Sequence, residues 1–392
     1  MKLDVIRVGY IPLIDAAPLI IAAEMGFAEE EGLRLELESA TTWSLLRDRL
    51  CFGHVDAAHM LSPVPVASVL GLGGAGVPLH ALSVLSVNGN VIGVSRDLAG
   101  RMRAAGHDFD FKDARRAGEA LIAAKPANLR IGVPFPFSMH AELVYYWLTA
   151  LGLPAPQFVD IRTVPPPLMA EALEAGEIDA FCVGEPWGSR SVDAGVGELL
   201  LPCSSIWAFS PEKVIAVRQS WADSEMGLAM RLVRTAWRAA RWLAEPGSRG
   251  LATELLSKPD HLNLAPELLE RALHGRFMIN PAGDVRLSPG FLEFFDGAAG
   301  FPWKSQAEWI ARQLATRAKL NPETATPAAR ATFRTDIYRS AMASVAHDLP
   351  SASTKLEGAL QEPTAVGSMG GRLILRRDEF FDGRIFEPIG PA

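Results

Sequence analysis

A strand-like run near the start of the chain, Ile6-Arg7-Val8-Gly9-Tyr10, returns 123 positions later as Leu129-Arg130-Ile131-Gly132-Val133. The same offset relates Leu50-x-x-Gly53-x-Val55-Asp56-Ala57 to Leu173-x-x-Gly176-x-Ile178-Asp179-Ala180, and Asp15 to Ser138. Asp and Ser are both good helix N-caps, and each here opens an apolar stretch. A single match of this kind is easily convergent, because strand–helix units generally want Gly after the helix and β-branched residues in the strand. Three matches at one offset point to two similar lobes.

Each lobe reads as strand, capped helix, strand, helix, strand. In the first these elements fall at about 4–10, 16–25, 33–38, 42–51 and 55–60, and in the second at about 129–134, 139–151, 158–164, 167–175 and 178–183. Strands alternating with helices predict parallel α/β sheets with right-handed crossovers. The first lobe is left near residue 92, a helical Arg/Ala-rich segment covers 98–125, and the β-rich run Val214–Val217 rejoins the first sheet. The expected division is therefore 1–92 plus 214–392 for lobe 1 and 93–213 for lobe 2. Helices are expected at 224–244, 249–258, 266–276, 304–317 and 331–346, and from about 350 an extended arm interrupted by Pro, Gly and Ser. Arg231, Arg234, Arg238 and Arg241 share one helical face, which reads as a solvated stripe or a partner-docking one.

The chain's 392 residues are enough for two such lobes. A net charge of −7 argues against nucleic acid as a direct ligand of the whole surface. Cys51, Cys182 and Cys203 form no C-x-x-C pair, so neither a disulfide framework nor a zinc site is expected. The apolar run Pro18–Ala23 is broken by Glu24 and Gly26, far short of the roughly 18 residues that span a bilayer. The start, Met1-Lys2-Leu3-Asp4, lacks the layout of a secretory leader, so a cytoplasmic location is expected, or a periplasmic one if a leader has been removed. No G-x-x-x-x-G-K-[ST] loop, H-E-x-x-H helix or Gly-x-Ser-x-Gly elbow occurs. No cofactor, metal or catalytic activity is expected.

Two α/β lobes joined by two crossings enclose a cleft at strand C-termini and helix N-termini, a place suited to a small anion. Trp43 sits in Thr41-Thr42-Trp43-Ser44 at a hydroxyl-capped helix start and can offer one indole N–H. His140 lies in the first turn of the matching helix of lobe 2. Lys213, where the chain enters the returning strand, supplies a point charge. The amide of Asn90 can donate to a planar oxyanion. Gly184 allows close backbone approach, and Pro166 opens a helix with free N–H groups beyond it. Taken singly, Trp43, His140 and Lys213 also read as a boundary aromatic, a structural histidine and a solvated lysine. His54 and His59 flank Asp56 with differing strand parity, which argues against a metal pair.

Several runs together resemble the nitrate- and bicarbonate-binding proteins of ABC transporters: Asp15-Ala16-Ala17-Pro18-Leu19, Thr42-Trp43-Ser44-Leu45-Leu46-Arg47-Asp48-Arg49-Leu50, Asp56-Ala57-Ala58-His59-Met60-Leu61, Val183-Gly184-Glu185-Pro186-Trp187, Pro211-Glu212-Lys213 and Phe380-Phe381-Asp382-Gly383-Arg384. The resemblance runs from about residue 5 to 388. It implies an α/β, two-lobed type II periplasmic-binding-protein fold with parallel-rich sheets and a ligand cleft between the lobes. It also implies a nitrate pocket of Trp43, His140 and Lys213 with backbone at Pro166 and Gly184. Lys213 favours nitrate, since the bicarbonate binders differ there and recruit calcium. Asn90 stands where the family has a glutamine, which leaves nitrate against nitrite open.

With no leader visible, the chain is most similar to the cytoplasmic nitrate/nitrite sensors of nitrate assimilation. That resemblance implies a protein partner, an RNA-binding antitermination regulator released when the anion binds. The alternative is the solute-binding component of a nitrate or bicarbonate ABC transporter. A third reading is an enzyme resembling the thiamin-pyrimidine synthesis proteins, which would need a reactive His or Cys cluster in the cleft.

Overall fold

The repeat becomes two sheets in a computed structural model that describes residues 2–74, 76–345 and 348–389. The first stretch of chain forms β1 (Asp4–Tyr10), α1 (Ala17–Glu24), the single turn α2 (Phe27–Glu30), β2 (Leu33–Ser39), α3 (Trp43–Cys51), β3 (Ala57–Leu61), α4 (Pro63–Val69) and β4 (Leu79–Asn88). The second forms β5 (Asn90–Ser95), α5 (Arg96–Ala104), α6 (Ala114–Ala124), β6 (Leu129–Val133), α7 (Met139–Ala150), β7 (Val159–Thr163), α8 (Met169–Glu174), β8 (Ala180–Gly184), α9 (Trp187–Asp193) and β9 (Gly197–Pro202). After it come β10 (Pro211–Arg218), α10 (Gln219–Ser224), α11 (Met226–Ala244), α12 (Arg249–Ser257) and α13 (Pro266–His274). The chain continues through β11 (Arg276–Met278), β12 (Val285–Leu287), β13 (Leu292–Glu293), α14 (Lys304–Ala318), α15 (Pro322–Thr332) and α16 (Thr335–Met342).

The sheets have the orders β13-β4-β10-β3-β1-β2 and β7-β6-β8-β5-β9. In the first, β1 runs parallel to β3 with Val8 opposite Ala57 and Gly9 opposite Ala58. In the second, β6 runs parallel to β8 with Ile131 opposite Ala180 and Gly132 opposite Phe181, the same register moved by the repeat offset. Gly9 and Gly132 are glycines because a helix crosses close above each. A Cβ on Gly9 would lie 2.4 Å from Leu46 Cδ1 of α3, and one on Gly132 would lie 2.9 Å from Met169 Sδ of α8. An ion pair closes each unit: the guanidinium of Arg7 donates to Asp56 at 3.0 Å and that of Arg130 to Asp179 at 2.6 Å. Each arginine also donates to the carbonyl of the helix-ending glycine, Gly53 or Gly176.

Each sheet then takes one strand from across the cleft. The chain leaves the first sheet at Gly89, and β5 inserts antiparallel between β8 and β9. It leaves the second through residues 203–210, and β10 inserts antiparallel between β3 and β4. Asn90 at the head of β5 and Lys213 near the head of β10 are themselves one repeat offset apart. The exchange makes the two sheets mutually dependent.

Several expectations need correction. The 98–125 segment is two helices, because buried Phe109 and Phe111 between them take positive φ of 52° and 60°. The 331–346 helix is shorter, α16 over Thr335–Met342, and an unexpected α15 (Pro322–Thr332) precedes it, because Phe333 turns extended and bridges Ala81 of β4. The last residue of the expected helix, 346, lies outside the described residues. Three members of the arginine stripe on α11 are tied down within the chain, while Arg241 is exposed, as a solvated face predicts. Arg231 donates to the Glu31 and Gly32 carbonyls and pairs with Asp4, while Arg234 and Arg238 grip Glu31 at 2.7 and 3.0 Å.

The tail after Leu349 is extended, as expected, but it is anchored. Phe380 stacks on Trp207 at 4.8 Å and meets Tyr146 of α7 at 5.3 Å. The Tyr146 hydroxyl donates to Asp382 at 2.8 Å. Burying an aromatic side chain of this size contributes about 1.5–3 kcal/mol, so the strap holds the C-terminal region against the second lobe.

Candidate functional site

Five of the six predicted residues converge where the sheets face each other. Thr42 caps α3 by accepting from Leu45 N at 3.2 Å, which places Trp43 at the helix start, 1% exposed. Ser138 caps α7 by accepting from Ala141 N at 3.2 Å, so the fully buried His140 falls in that first turn. Asn90 pairs in register with Gly184 across β5 and β8. A Cβ on Gly184 would lie 3.5 Å from Asn90 Oδ1 and 3.8 Å from Asp15 Oδ2. The tightest neighbour is Leu13 Cδ2 at 3.2 Å, so a side chain here would press on Leu13. Pro166 begins a short 3-10 turn over 166–168, at the repeat position of Trp43, and belongs to none of the ion pairs or ring contacts joining the others.

Lys213 is the centre. Rather than a solvated surface lysine it is fully buried, with Nζ 2.7 Å from Asp15 Oδ2, 2.8 Å from Glu212 Oε1 and 5.5 Å from the centre of the Trp43 ring. His59 Nε2 lies 2.9 Å from Asp15 Oδ1, and the His59 ring sits 5.6 Å from that of Trp43. His140 Nδ1 stands 3.4 Å from Glu212 Oε1.

Sequence reasoning missed three members of this cluster. Asp15 was expected to cap a helix, but α1 starts after Ala16 without a side-chain cap, and the buried Asp15 carboxylate faces Lys213 instead. His59 was set aside by strand parity, which speaks to a metal pair with His54 and not to a contact with Asp15. Glu212 was hidden because neighbours in a strand point to opposite faces. Here the register of β10 against β4 slips around Lys213, with Pro211 opposite Val87 and Lys213 opposite Ser86. The bulge brings adjacent side chains together. The repeat carried a usable signal: Trp43 and Pro166, His59 and Cys182, and Asn90 and Lys213 are all one offset apart.

Burial alone would raise the Asp15 carboxyl, but Lys213 and His59 reverse this and hold it well below the usual carboxylate range. Burial lowers Lys213, yet Asp15 and then Glu212 more than compensate and keep it charged. Glu212 is raised by burial, only partly offset by Lys213. His140 is driven far down by burial and then by Lys213, and His59 is lowered by burial despite Asp15. Both imidazoles are therefore neutral at pH 7. Trp43 Nε1 and His140 Nε2 are buried without a hydrogen-bond partner, while His140 Nδ1 and the Asn90 side chain face the Glu212 carboxylate. A buried donor with no partner costs about 1–3 kcal/mol, so a cluster of them facing one ammonium is arranged for a small acceptor-rich guest.

The lobes meet directly around this cluster. Ile14 N donates to Glu185 O at 3.2 Å, Trp187 Nε1 donates to Pro12 O at 3.1 Å, and the Phe137 ring covers Gly73. Gly73 belongs to Gly71-Leu72-Gly73-Gly74-Ala75-Gly76, a run with G-x-G-x-x-G spacing that sequence reasoning overlooked. It leads from helix α4 into strand β4, the reverse of the strand-to-helix order that cradles a pyrophosphate. Cys182 and Cys203 lie with Sγ atoms 3.4 Å apart, both as free thiols. Burial and then Cys203 push the Cys182 thiol well up, which makes it a poor nucleophile. Among the described residues no group of three or more His, Cys, Asp or Glu side chains is placed to hold a metal ion, and no helix is long and apolar enough to cross a membrane.

A profile described as the NMT1-like family matches residues 2–257. The nitrate/nitrite binding protein NrtA of Nostoc sp. is 31% identical over 78% of this chain and 68% of its own length. The bicarbonate-binding protein CmpA of Synechococcus sp. is 27% identical over 79% of this chain and 70% of its own. The nitrate import ATP-binding protein NrtC of Synechocystis sp. is 30% identical over 78% of this chain, which spans only 45% of that longer relative. The crystal structure of the periplasmic nitrate-binding protein NrtA from Synechocystis superposes with a TM-score of 0.83 at 25% identity, over 99% of this chain and 96% of that one. The architecture is that of the two-lobed periplasmic binding proteins.

Proposed function

The chain belongs to the NMT1-like family, alongside the nitrate- and bicarbonate-binding proteins of ABC transporters, and from that membership we propose that it is the solute-binding component of an ABC-type importer, holding a small planar oxyanion, nitrate before nitrite or bicarbonate, between its lobes. The observation that carries this reading is Lys213: a fully buried ammonium beside Trp43, His140 and Asn90, with Trp43 Nε1 and His140 Nε2 buried without a hydrogen-bond partner. An indole N–H, an imidazole N–H and an amide NH₂ are neutral donors, suited to three coplanar acceptor oxygens. Gly184 supplies close backbone approach, and Pro166 the matching helix start of the second lobe. Lys213 supplies the charge, and the surrounding neutral donors fix orientation.

In this reading the two lobes divide where the sheets do, at Gly89 and within 203–210, so that Lys213 belongs to the first lobe's sheet and Asn90 to the second's. The anion draws the two together. A guest of four atoms makes few contacts, and a dissociation constant in the micromolar range, roughly −8 kcal/mol, is expected. The relatives support the transport reading over an antitermination sensor, and a periplasmic location over a cytoplasmic one. They are binding and transport proteins, and the high thiol of Cys182 gives no support to an enzyme on this fold.

Isothermal titration of the purified chain with nitrate, nitrite and bicarbonate, in buffer of controlled chloride content, tests the proposal. Saturable heat with nitrate or nitrite and little with bicarbonate is the expected outcome. Bicarbonate alone, enhanced by calcium, would overturn the choice of anion, and no heat with any of the three would overturn the anion site.

A further inference from the structure

Lys213 reaches the cleft already neutralised. Its ammonium touches two carboxylates, Asp15 on the turn before α1 and Glu212 on its own strand, and all three side chains are at most 1% exposed. The remaining titratable groups around them are few. His59 of β3 faces Asp15, His140 of α7 faces Glu212, and the Cys182 thiol of β8 lies near Glu212 and Lys213 with Cys203 behind it. The polar neighbours, Asn90 of β5 and Trp43 of α3, carry no charge. With both carboxylates ionised, the cluster holds one negative charge more than it holds positive.

An arriving anion would add a second uncompensated negative charge to a space sealed from water. Interactions between charges at these distances are only weakly screened there, and burying unpaired charge costs several kcal/mol in general. Neutral donors alone do not remove that charge. We propose, resting on the oxyanion reading above, that the site takes up one proton with each anion and that the Glu212 carboxylate receives it.

The step is a protonation and nothing more. A buffer acid in solvent gives up a proton, an O–H bond forms on Glu212, and the Lys213 ammonium is freed from that carboxylate to face the anion. Asp15 stays ionised and keeps its contacts with Lys213 and His59, so the lysine remains anchored. Both carboxylates touch Lys213, but His59 Nε2 lies 2.9 Å from Asp15 while His140 Nδ1 stands 3.4 Å from Glu212, and at Glu212 Lys213 and Asn90 only partly offset burial, which makes Glu212 the better acceptor of the two. Burial already raises the Glu212 carboxyl in the absence of a guest, and the anion raises it further. Between those two values one proton is taken up per anion, and the dissociation constant rises about tenfold per pH unit as pH increases.

The test is titration of the full chain with potassium nitrate at pH 7.5 in two buffers of very different ionisation enthalpy, at fixed ionic strength, followed by a pH series from 6 to 8.5. The expected result is a heat that differs between buffers by about one proton per nitrate, with affinity falling as pH rises. Glu212→Gln should bind nitrate with a buffer-independent heat and a flat pH profile. If that variant does not fold, the infrared difference spectrum of the wild-type chain decides: nitrate should bring up the C=O stretch of a protonated carboxyl. Nitrate binding with no buffer dependence and no such band overturns the inference and leaves the anion site standing. Uptake that persists in folded Glu212→Gln overturns the assignment to Glu212. Absence of binding by any oxyanion overturns both.

Discussion

The two lobes share a scaffold and divide the chemistry. Both lay a glycine under a crossing helix, both close with an Arg–Asp pair 49 residues apart in sequence, and both accept one strand from the other side. At equivalent positions, however, the first has Asp15, His59 and Trp43 where the second has Ser138, Cys182 and Pro166. The swapped strands differ in the same way: β10 brings Lys213 to the first sheet and β5 brings Asn90 to the second. Charge is gathered in one half, and the other offers His140, Asn90 and close-approaching backbone. A duplicated scaffold therefore fixes where a guest sits, while the sequence differences between its copies decide which half holds the ion and which half covers it.

The largest test of that division removes the charged half. Lys213→Ala leaves Asp15 and Glu212 buried without their ammonium, which should cost about 3–5 kcal/mol of stability. Nitrate affinity should fall by more than about 100-fold. Its repeat partner should behave differently. Asn90→Ala removes an uncharged amide whose side chain contacts only the Glu212 carboxylate among the charged groups, so stability should change by only about 1 kcal/mol while affinity weakens about tenfold. Thermal unfolding and calorimetry on both variants check this, and equal losses at the two positions would break the comparison.

A second contrast concerns two buried carboxylates. Asp15 has a cation and Glu185 has none in contact: Glu185 is fully buried and is held by Ser189, whose backbone N–H donates to it at 3.1 Å. Burial pushes its carboxyl up to about 7, partly offset by Ser189. A carboxyl raised in the folded state binds more protons folded than unfolded, so its contribution favours folding at low pH and is lost as pH rises toward 7. Glu185→Gln should therefore leave stability near unchanged at pH 4.5 and raise it by about 1–3 kcal/mol at pH 8. Asp15 carries the opposite sign, since its carboxyl is depressed. Its stabilising pairing with Lys213 is present above the ordinary carboxylate range and is lost on acidification, so Asp15→Asn should destabilise at pH 7. Melting temperatures of both variants across pH 4.5 to 8 read out the two signs together.

Much of the scaffold was legible because the repeat enforces it. The offset placed β1, α3, β6, α7 and β8 within a residue or two, since Gly9 and Gly132 lie under crossing helices and Gly53 and Gly176 take positive φ after a helix. Residues whose partners lie close in sequence, such as the caps Thr42 and Ser138, were equally plain. Other features depend on tertiary placement. Asp15 looks like a cap until β10 delivers Lys213 beside it from almost 200 positions away. Glu212 is invisible to strand parity because a bulge cancels the alternation. Phe333 breaks a helical pattern to bridge a sheet edge that no local window contains. Arg231, Arg234 and Arg238 read as solvated because Glu31, their partner, sits on a turn joined to them only in space.

The smallest effect asks whether the lobes are separable at all. Arg7 and Arg130 make equivalent pairs, but the Arg7 side chain is 43% exposed and the Arg130 side chain 28%. Partly exposed pairs are discounted by solvent screening, so each alanine variant should cost only about 1 kcal/mol. Arg130→Ala should cost slightly more, because its contacts are shorter and better covered. The informative quantity is which transition moves. With β5 and β10 exchanged, neither sheet is complete without chain from the other side, so denaturant unfolding should show one transition whose midpoint both variants lower at constant slope. Two transitions, one sensitive to Arg7→Ala alone and the other to Arg130→Ala alone, would mean that each lobe folds on its own and that the exchanged strands contribute less than their central places in the sheets imply.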